Sequence, residues 1–150
     1  MINLRDRLAN DTTTSFSLMR AIFAELHVAL PGIVQSFNPE TQTAVIQPAV
    51  NERISVNGIV QDIQLPLLVD VQVVFFRAGN FVLTVPVQVG DEVLVVFTDD
   101  CYDSWWQSGG IQNKLETRRH DLSNAIAIPG LFSQPNVISD FSTTSTQLRN

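Results

Sequence analysis

The stretch GIVQSFNPETQTAVIQPAV, residues 32–50, decides the fold, because its apolar side chains follow the two-residue period of a β-strand. Asn38-Pro39 interrupts this period, and both residue types favour tight turns. Two strands that flank a short polar turn form a hairpin when each has one buried face. We therefore predict a β-hairpin over residues 32–50, with its turn at residues 38–41.

Six further segments have the composition of short strands, and turn residues lie between most of them. They are residues 53–56, 59–65, 71–76, 81–87, 92–98 and 124–130. Asn57-Gly58 joins the first two, and both residues tolerate the positive φ of a type I′ turn. Short strands with turns at intervals of roughly 8–12 residues predict a small closed or nearly closed barrel. The runs VQVVFF (71–76) and EVLVVF (92–97) are apolar at nearly every residue, which predicts burial on both of their faces.

Residues 1–30 are predicted to form a helix. Apolar residues recur there at alternating steps of three and four, which is the a/d spacing of a helix–helix seam. They are Phe16, Met19, Phe23, Leu26 and Leu30. An N-cap is expected at Asp11 or at one of the threonines 12–14, and Pro31 followed by Gly32 is expected to end the helix. Two interpretations stay open, since the helix could pack on its own domain or contact neighbouring copies of the chain.

Charge and composition narrow the classes of function. The 150 residues include nine Lys and Arg against fifteen Asp and Glu, a net charge of −6, so nucleic acid is a poor partner. One cysteine excludes an internal disulfide framework and a cysteine-based zinc site. No secretory leader or membrane-spanning run is visible, which predicts synthesis in a cytoplasm. The mean hydropathy of +0.13 is high for a soluble monomer and indicates that other chains cover part of the surface.

The segment DDCYDSWWQSGGIQN, residues 99–113, holds the only cysteine and both tryptophans. Cys101 with His120 and either Asp103 or Asp121 has the composition of a thiol hydrolase, which needs a thiolate beside an oriented imidazole. The local sequence matches no nucleophile environment, and a lone cysteine is more often a small buried apolar residue. We therefore expect no catalytic residue and no enzymatic activity.

The same segment is also the best candidate for a metal site. Asp99, Asp100 and Asp103 form a loose acidic cluster, but aromatic residues interrupt the alternating ligand spacing that a calcium loop needs. His27 and His120 each lack a second ligand at the spacing of a metal-binding motif. We expect no metal and no cofactor.

The adjacent residues Trp105 and Trp106 admit two interpretations. On an extended segment, neighbouring side chains point to opposite sides, so one ring could plug the end of the barrel while the other faces outward. Large aromatic side chains are also enriched at the centres of protein interfaces. The first interpretation is therefore a structural plug or subunit contact, and the second is stacking against a carbohydrate.

Four motifs give the sequence a resemblance to a phage family. They are ALPGIVQSFNPETQTAVIQPAV, PLLVDVQVVFFRAGNFVLTVPVQVGDEVLVVF, CYDSWWQSGG and RRHDLSNAIAIPG. From about Leu30 to Gly130 the chain resembles the N-terminal domain of the membrane-piercing central spike proteins of contractile-tail baseplates. The resemblance implies an OB-fold barrel, of which three copies surround the tail axis. It also implies that these barrels join the tail hub to a β-helical needle that breaches the host outer membrane.

These observations together predict a mainly β protein. It has an N-terminal helical arm (1–31), a small OB-fold barrel (32–130) and an extended C-terminal tail (131–150) that begins a trimeric β element or connects to the spike. Twenty residues after Gly130 are too few for the needle, so we expect the needle on a separate chain or missing from this sequence.

The predicted function is structural. We expect a homotrimeric platform in the baseplate of the virion, made in the host cytoplasm, that contacts tail hub proteins and a needle or tip protein. It would touch the host outer membrane only indirectly. The predicted interface residues are Phe16, Met19, Phe23, Leu26, Trp105 and Trp106. The alternative is a glycan-binding β-barrel that contacts the host envelope.

Overall fold

The structure, a computed structural model, describes residues 4–56 and 58–148. Its regular elements in chain order are α1 (Leu4–Glu25), β1 (Ala29–Asn38), β2 (Thr43–Pro48), β3 (Glu52–Val56), β4 (Ile59–Ile63), β5 (Leu68–Val73), β6 (Phe76–Ala78), β7 (Phe81–Leu83), β8 (Glu92–Phe97), α2 (Asp103–Ser108) and β9 (Ala125–Pro129). Two short 3-10 helices span Leu122–Asn124 and Gln134–Asn136. None of the helices in the described part has the length and hydropathy of a membrane span.

Five strands close into a barrel in the order β1-β2-β5-β9-β8. β1 pairs antiparallel with both β2 and β8, while β9 pairs antiparallel with β8 and parallel with β5. This confirms the predicted mainly β fold with a small OB-fold-like barrel and an N-terminal helix. The predicted hairpins over residues 32–50 and 53–65 are present as β1–β2 and β3–β4. Gly58 in the second turn has φ +79°, and its predicted partner Asn57 lies outside the described residues.

The core is made by the side chains that point into the barrel from alternate positions of its strands. Val34, Ile46, Val71, Val93 and Val95 are each at most 2% exposed, and Phe97 and Leu68 belong to the same core. Gly32 lies where β1 and β2 approach closely. A β-carbon there would lie 2.5 Å from Ile46 Cγ2 and 3.0 Å from Val95 Cγ2, so only glycine fits without displacing the core.

The helix differs from the prediction at both ends. It ends at Glu25, and Ala29–Gly32 instead form the start of β1, paired with Val93–Val96 of β8. The Leu30 side chain packs against the core from this strand, so pairing and burial outweigh the a/d pattern that favoured a longer helix. The expected N-cap residues 11–14 lie inside the helix and do not begin it. Nearby, the Ser17 hydroxyl donates a hydrogen bond to the Thr13 carbonyl within the helix.

Within one chain neither apolar run is buried on both faces, and cover of the outer face by another subunit stays a prediction. In β8 only alternate residues are buried, and Leu94 and Val96 between them are half-buried. The run VQVVFF divides between β5, which ends at Val73, and β6, which begins at Phe76 with its side chain 77% exposed. The reason is geometric, because the barrel of one chain buries only the side chains that point into its interior.

The strand directions sort the remaining elements onto opposite ends of the barrel. At one end, here called the helix end, β1 begins and β2 and β8 finish, so α1, the β3–β4 hairpin and the loop of residues 98–124 all lie there. At the other, the tail end, β5 and β9 finish and β8 begins. The β6–β7 hairpin and the C-terminal tail from residue 130 onward leave from the tail end.

Replacing Gly32 by alanine should destabilise the barrel by about 1–3 kcal/mol, because the added methyl group overpacks the core between β1 and β2. Urea denaturation followed by circular dichroism measures the change. Ser36→Ala, an exposed change on the same strand, is the control and should alter stability by less than about 0.5 kcal/mol. Equal stability of Gly32→Ala and the parent chain would show that the contact is not tight.

Candidate functional site

The loop of residues 98–124 forms a folded cap on the helix end of the barrel. Its two tryptophans lie on the short helix α2. The backbone N–H of Trp106 donates to the Tyr102 carbonyl at 2.9 Å, and the backbone N–H of Gly109 donates to the Trp105 carbonyl at 2.8 Å. The prediction of an extended segment with one ring plugging the barrel is therefore wrong. Both rings lie outside the core, with Trp105 47% and Trp106 39% exposed.

Tyr102 anchors the start of this loop to the barrel, and Cys101 beside it is buried. The Tyr102 hydroxyl donates a 2.8 Å hydrogen bond to the carbonyl of Ala125, the first residue of β9, and Cys101 is 5% exposed. Burial raises the pKa of Tyr102 to about 12, and the nearby Asp103 carboxylate adds to this shift. The sequence analysis missed Tyr102, although a lone tyrosine beside the tryptophans was a visible signal.

The acidic residues of the loop are paired with basic residues from its second half. Asp103 lies 2.8 Å from Arg118 Nη2, and Asp100 lies 3.1 Å from Lys114 Nζ. Asp99 contacts Arg119 at 3.1 Å and His120 Nε2 at 2.9 Å. The bond from Lys114 lowers the pKa of Asp100. These pairs cross-link the start and end of the loop and give the acidic cluster a structural role.

The candidate thiol site is not assembled. The Cys101 sulfur accepts a hydrogen bond from Arg118 Nη2 at 3.3 Å, whereas His120 is bonded to Asp99 and Asp121 accepts from the Ser123 N–H and hydroxyl. Within residues 4–56 and 58–148, no three His, Cys, Asp or Glu side chains gather where they could hold a metal ion.

The joint between α1 and the barrel is fixed by the backbone around His27. The His27 N–H donates to the His120 carbonyl, and the Phe97 N–H donates to the Val28 carbonyl at 2.9 Å. The His27 ring also contacts the Phe97 ring, with 5.7 Å between their centres. This joint ties the helix to β8 and to the end of the 98–124 loop.

Beyond the joint, α1 exposes its apolar side chains. Every described side chain from Thr12 to Phe23 is exposed, including Phe16 at 65%, Met19 at 49% and Phe23 at 67%. The interpretation in which these residues pack on their own barrel is therefore wrong. Leu26 follows the end of the helix and is 39% exposed. The role of these four residues in an interface stays a prediction.

At the tail end, Glu92 fastens the C-terminal tail to the barrel. Its carboxylate accepts hydrogen bonds from the Ser133 N–H, from the Ser133 hydroxyl at 2.6 Å and from Asn136 Nδ2 at 2.9 Å. The bonds from Ser133 lower the pKa of Glu92. We call this contact the Glu92 clasp. It holds residues 133–136 beside the first residue of β8.

After the clasp the tail exposes apolar side chains. They are Val137, Ile138, Phe141 and Leu148. The β6–β7 hairpin, which leaves the same end of the barrel, also exposes apolar side chains, and Phe81 at its tip is 85% accessible. The tail end therefore presents two elements with exposed apolar side chains, and the helix end presents one, α1.

The family model for the phage protein Gp138 N-terminal domain matches residues 30–130. The matched residues contain the barrel except Ala29, the β3–β4 and β6–β7 hairpins and the 98–124 loop. The chain belongs to the Gp138 N-terminal domain family. It is accordingly a phage structural protein associated with the virion, as the sequence analysis predicted in general terms. No curated protein matches the chain.

The ionisation of Tyr102 reports directly on the cap, because the chain contains one tyrosine. Tyrosinate absorbance should titrate with a midpoint of about 12 in the folded protein and near 10 in denaturant. The stabilising contribution of this group is complete below pH 10 and is lost as pH rises through about 12. Tyr102→Phe should remove the transition and cost about 1 kcal/mol of stability. A folded midpoint near 10 would place the hydroxyl in water.

Acid should release the C-terminal tail by opening the Glu92 clasp. Since the folded pKa of Glu92 is lowered, the contact is complete above the ordinary pKa of a glutamate and is lost as pH falls through the lowered value. Hydrogen exchange of the Ser133 amide should be slow at neutral pH and fast in Glu92→Gln. Glu40→Gln, an exposed change on a distant turn, should leave that exchange slow. Slow exchange in Glu92→Gln would mean that the clasp does not hold the tail.

Proposed function

We propose that this protein is the trimeric platform of a phage central spike, in which OB-fold-like barrels join the tail hub to a needle or tip protein. One observation carries the proposal, namely that a closed barrel presents unpartnered apolar elements at both of its ends. These are α1 at the helix end and the tail with the β6–β7 hairpin at the tail end. A connector between two partners along one axis needs this arrangement.

The outer wall of the barrel supports three copies around that axis. Leu94 and Val96 of β8 lie directly opposite Ile128 and Ile126 of β9, and all four side chains point away from the core. Together they make an apolar patch, here called the outer patch, in which one chain leaves Ile128 exposed and the other three side chains half-buried. Obligate subunit interfaces are more apolar than the rest of a protein surface. A neighbouring barrel is the proposed cover for the outer patch.

The two ends suit different partners in this proposal. The helix α1 carries a line of exposed apolar residues that can pack against helices of the tail hub or of neighbouring copies. The tail, fastened by Glu92, leaves the opposite end and is the proposed link to the needle. Trp105 and Trp106 lie in the cap at the helix end.

We also propose that the protein has no enzymatic role. Its cysteine is buried against an arginine, and the carboxylates of the cap are occupied by ion pairs. Nucleic acid is not a direct partner in this proposal, because the net charge is −6. The host outer membrane is reached only through the needle or tip protein.

The variant Phe23→Asp tests the role of the helix. A charge at this exposed apolar position should prevent assembly, seen as a smaller sedimentation coefficient and as absence of the protein from purified virions. The barrel should stay folded, with an unchanged circular dichroism spectrum, because Phe23 lies outside the core.

The matched control is Ser17→Asp, which adds the same charge to the same helix away from the line of Phe16, Met19 and Phe23. It should assemble and enter virions normally. Normal assembly of Phe23→Asp, or an equal defect in both variants, contradicts the proposal.

A further inference from the structure

A cavity of about 300 Å³ opens on the surface of the cap, between α2 and the segment that follows it. Its lining includes Tyr102, Ser104, Trp105, Gln112, Asn113 and Lys114. The proposed platform function uses none of these side chains in the cavity. Its volume lies at the small end of the range for ligand pockets, which suits one small ring rather than an extended chain.

An aromatic wall of this cavity is held rigidly although it is exposed. Tyr102 is anchored to Ala125 of β9, and its ring centre lies 6.4 Å from that of Trp105 at an angle of 59°. The Trp105 ring lies on α2 against this anchored ring, and 47% of its surface is exposed to solvent. A preordered aromatic face loses little side-chain entropy when a ligand stacks on it.

The other lining residues supply polar groups that are available to a ligand. Within the described part of the chain, the side chains of Ser104 and Asn113 have no hydrogen-bond partner. Gln112 donates from Nε2 to the Gly109 carbonyl at 2.8 Å, which fixes the amide and leaves its side-chain oxygen as an acceptor. Lys114, paired with Asp100 at 3.1 Å, has further N–H donors. These polar side chains can therefore both donate hydrogen bonds to a ligand and accept them from it.

A pyranose ring has the matching chemistry, because it combines an apolar C–H face with hydroxyl groups that both donate and accept. A nucleobase could stack on the same ring, but the net charge of −6 over the chain disfavours a phosphate backbone. The loop also joins the fourth and fifth strands of the barrel, which is one of the connections that OB-folds use to bind oligosaccharides.

We propose that this cavity is a saccharide-binding site, in which one sugar ring of a short oligosaccharide stacks on Trp105. Asn113, Gln112 and Ser104 hydrogen-bond to the hydroxyl groups of that ring. Trp106 does not line the cavity and takes no part, although it lies on the same helix and is similarly exposed. The proposal does not depend on the platform function, since the cap belongs to each single chain.

The purified full chain would be screened on an array of neutral and acidic oligosaccharides, and each bound compound would then be titrated by isothermal titration calorimetry. The parent chain should bind at least one oligosaccharide. Trp105→Ala should weaken that binding about tenfold or more, because it removes the stacking face. Asn113→Ala should weaken it to a smaller extent, and Trp106→Ala, the matched control, should bind like the parent.

Three outcomes would overturn the saccharide site. They are no binding to any oligosaccharide on the array, unchanged binding by Trp105→Ala, and tighter binding of a single-stranded oligonucleotide than of any sugar. The tyrosinate titration of each variant checks that the cap is still folded. Sedimentation of the same samples reports assembly separately, so failure of the sugar site leaves the platform proposal to its own test.

Discussion

The closure of the barrel by β9 is the constraint on which the structure depends. This five-residue strand pairs with β8 on one side and β5 on the other, so its absence would leave a curved open sheet with two exposed edges. The 98–124 loop must bring β9 back from β8 into this gap. That requirement explains why the loop is cross-linked by ion pairs and anchored by Tyr102 to the first residue of β9.

Closure of the barrel buries its inward side chains but leaves apolar side chains exposed on its exterior. Inward side chains such as Val34 and Val95 are fully buried, whereas the outer patch, α1, the β6–β7 hairpin and the tail keep apolar groups in contact with solvent. Contiguous apolar surface of this kind marks sites of association. The same topology places α1 at one end of the barrel and the β6–β7 hairpin and the tail at the other. The two ends therefore present different apolar surfaces, as a connector between two partners requires.

Local patterns were sufficient to predict much of this fold. The two-residue period of residues 32–50 and the turn residues along the chain predicted the hairpins and the barrel, because each hairpin joins neighbours in sequence. Contacts between distant residues were not predictable in this way. The helix stopped early because β8 pairs with Ala29–Gly32, and Glu92 holds Ser133 across a separation of 41 residues. The tryptophans were placed on the wrong element, since the helical turn that carries them depends on the folded cap.

The central claim is that the exterior of this barrel is completed by identical copies. Light scattering on the purified chain at micromolar concentration tests it most directly. The account predicts a particle of three times the 16.6 kDa chain mass that persists on dilution. A stable particle of one chain mass, with α1 and the outer patch still open to solvent, would contradict it.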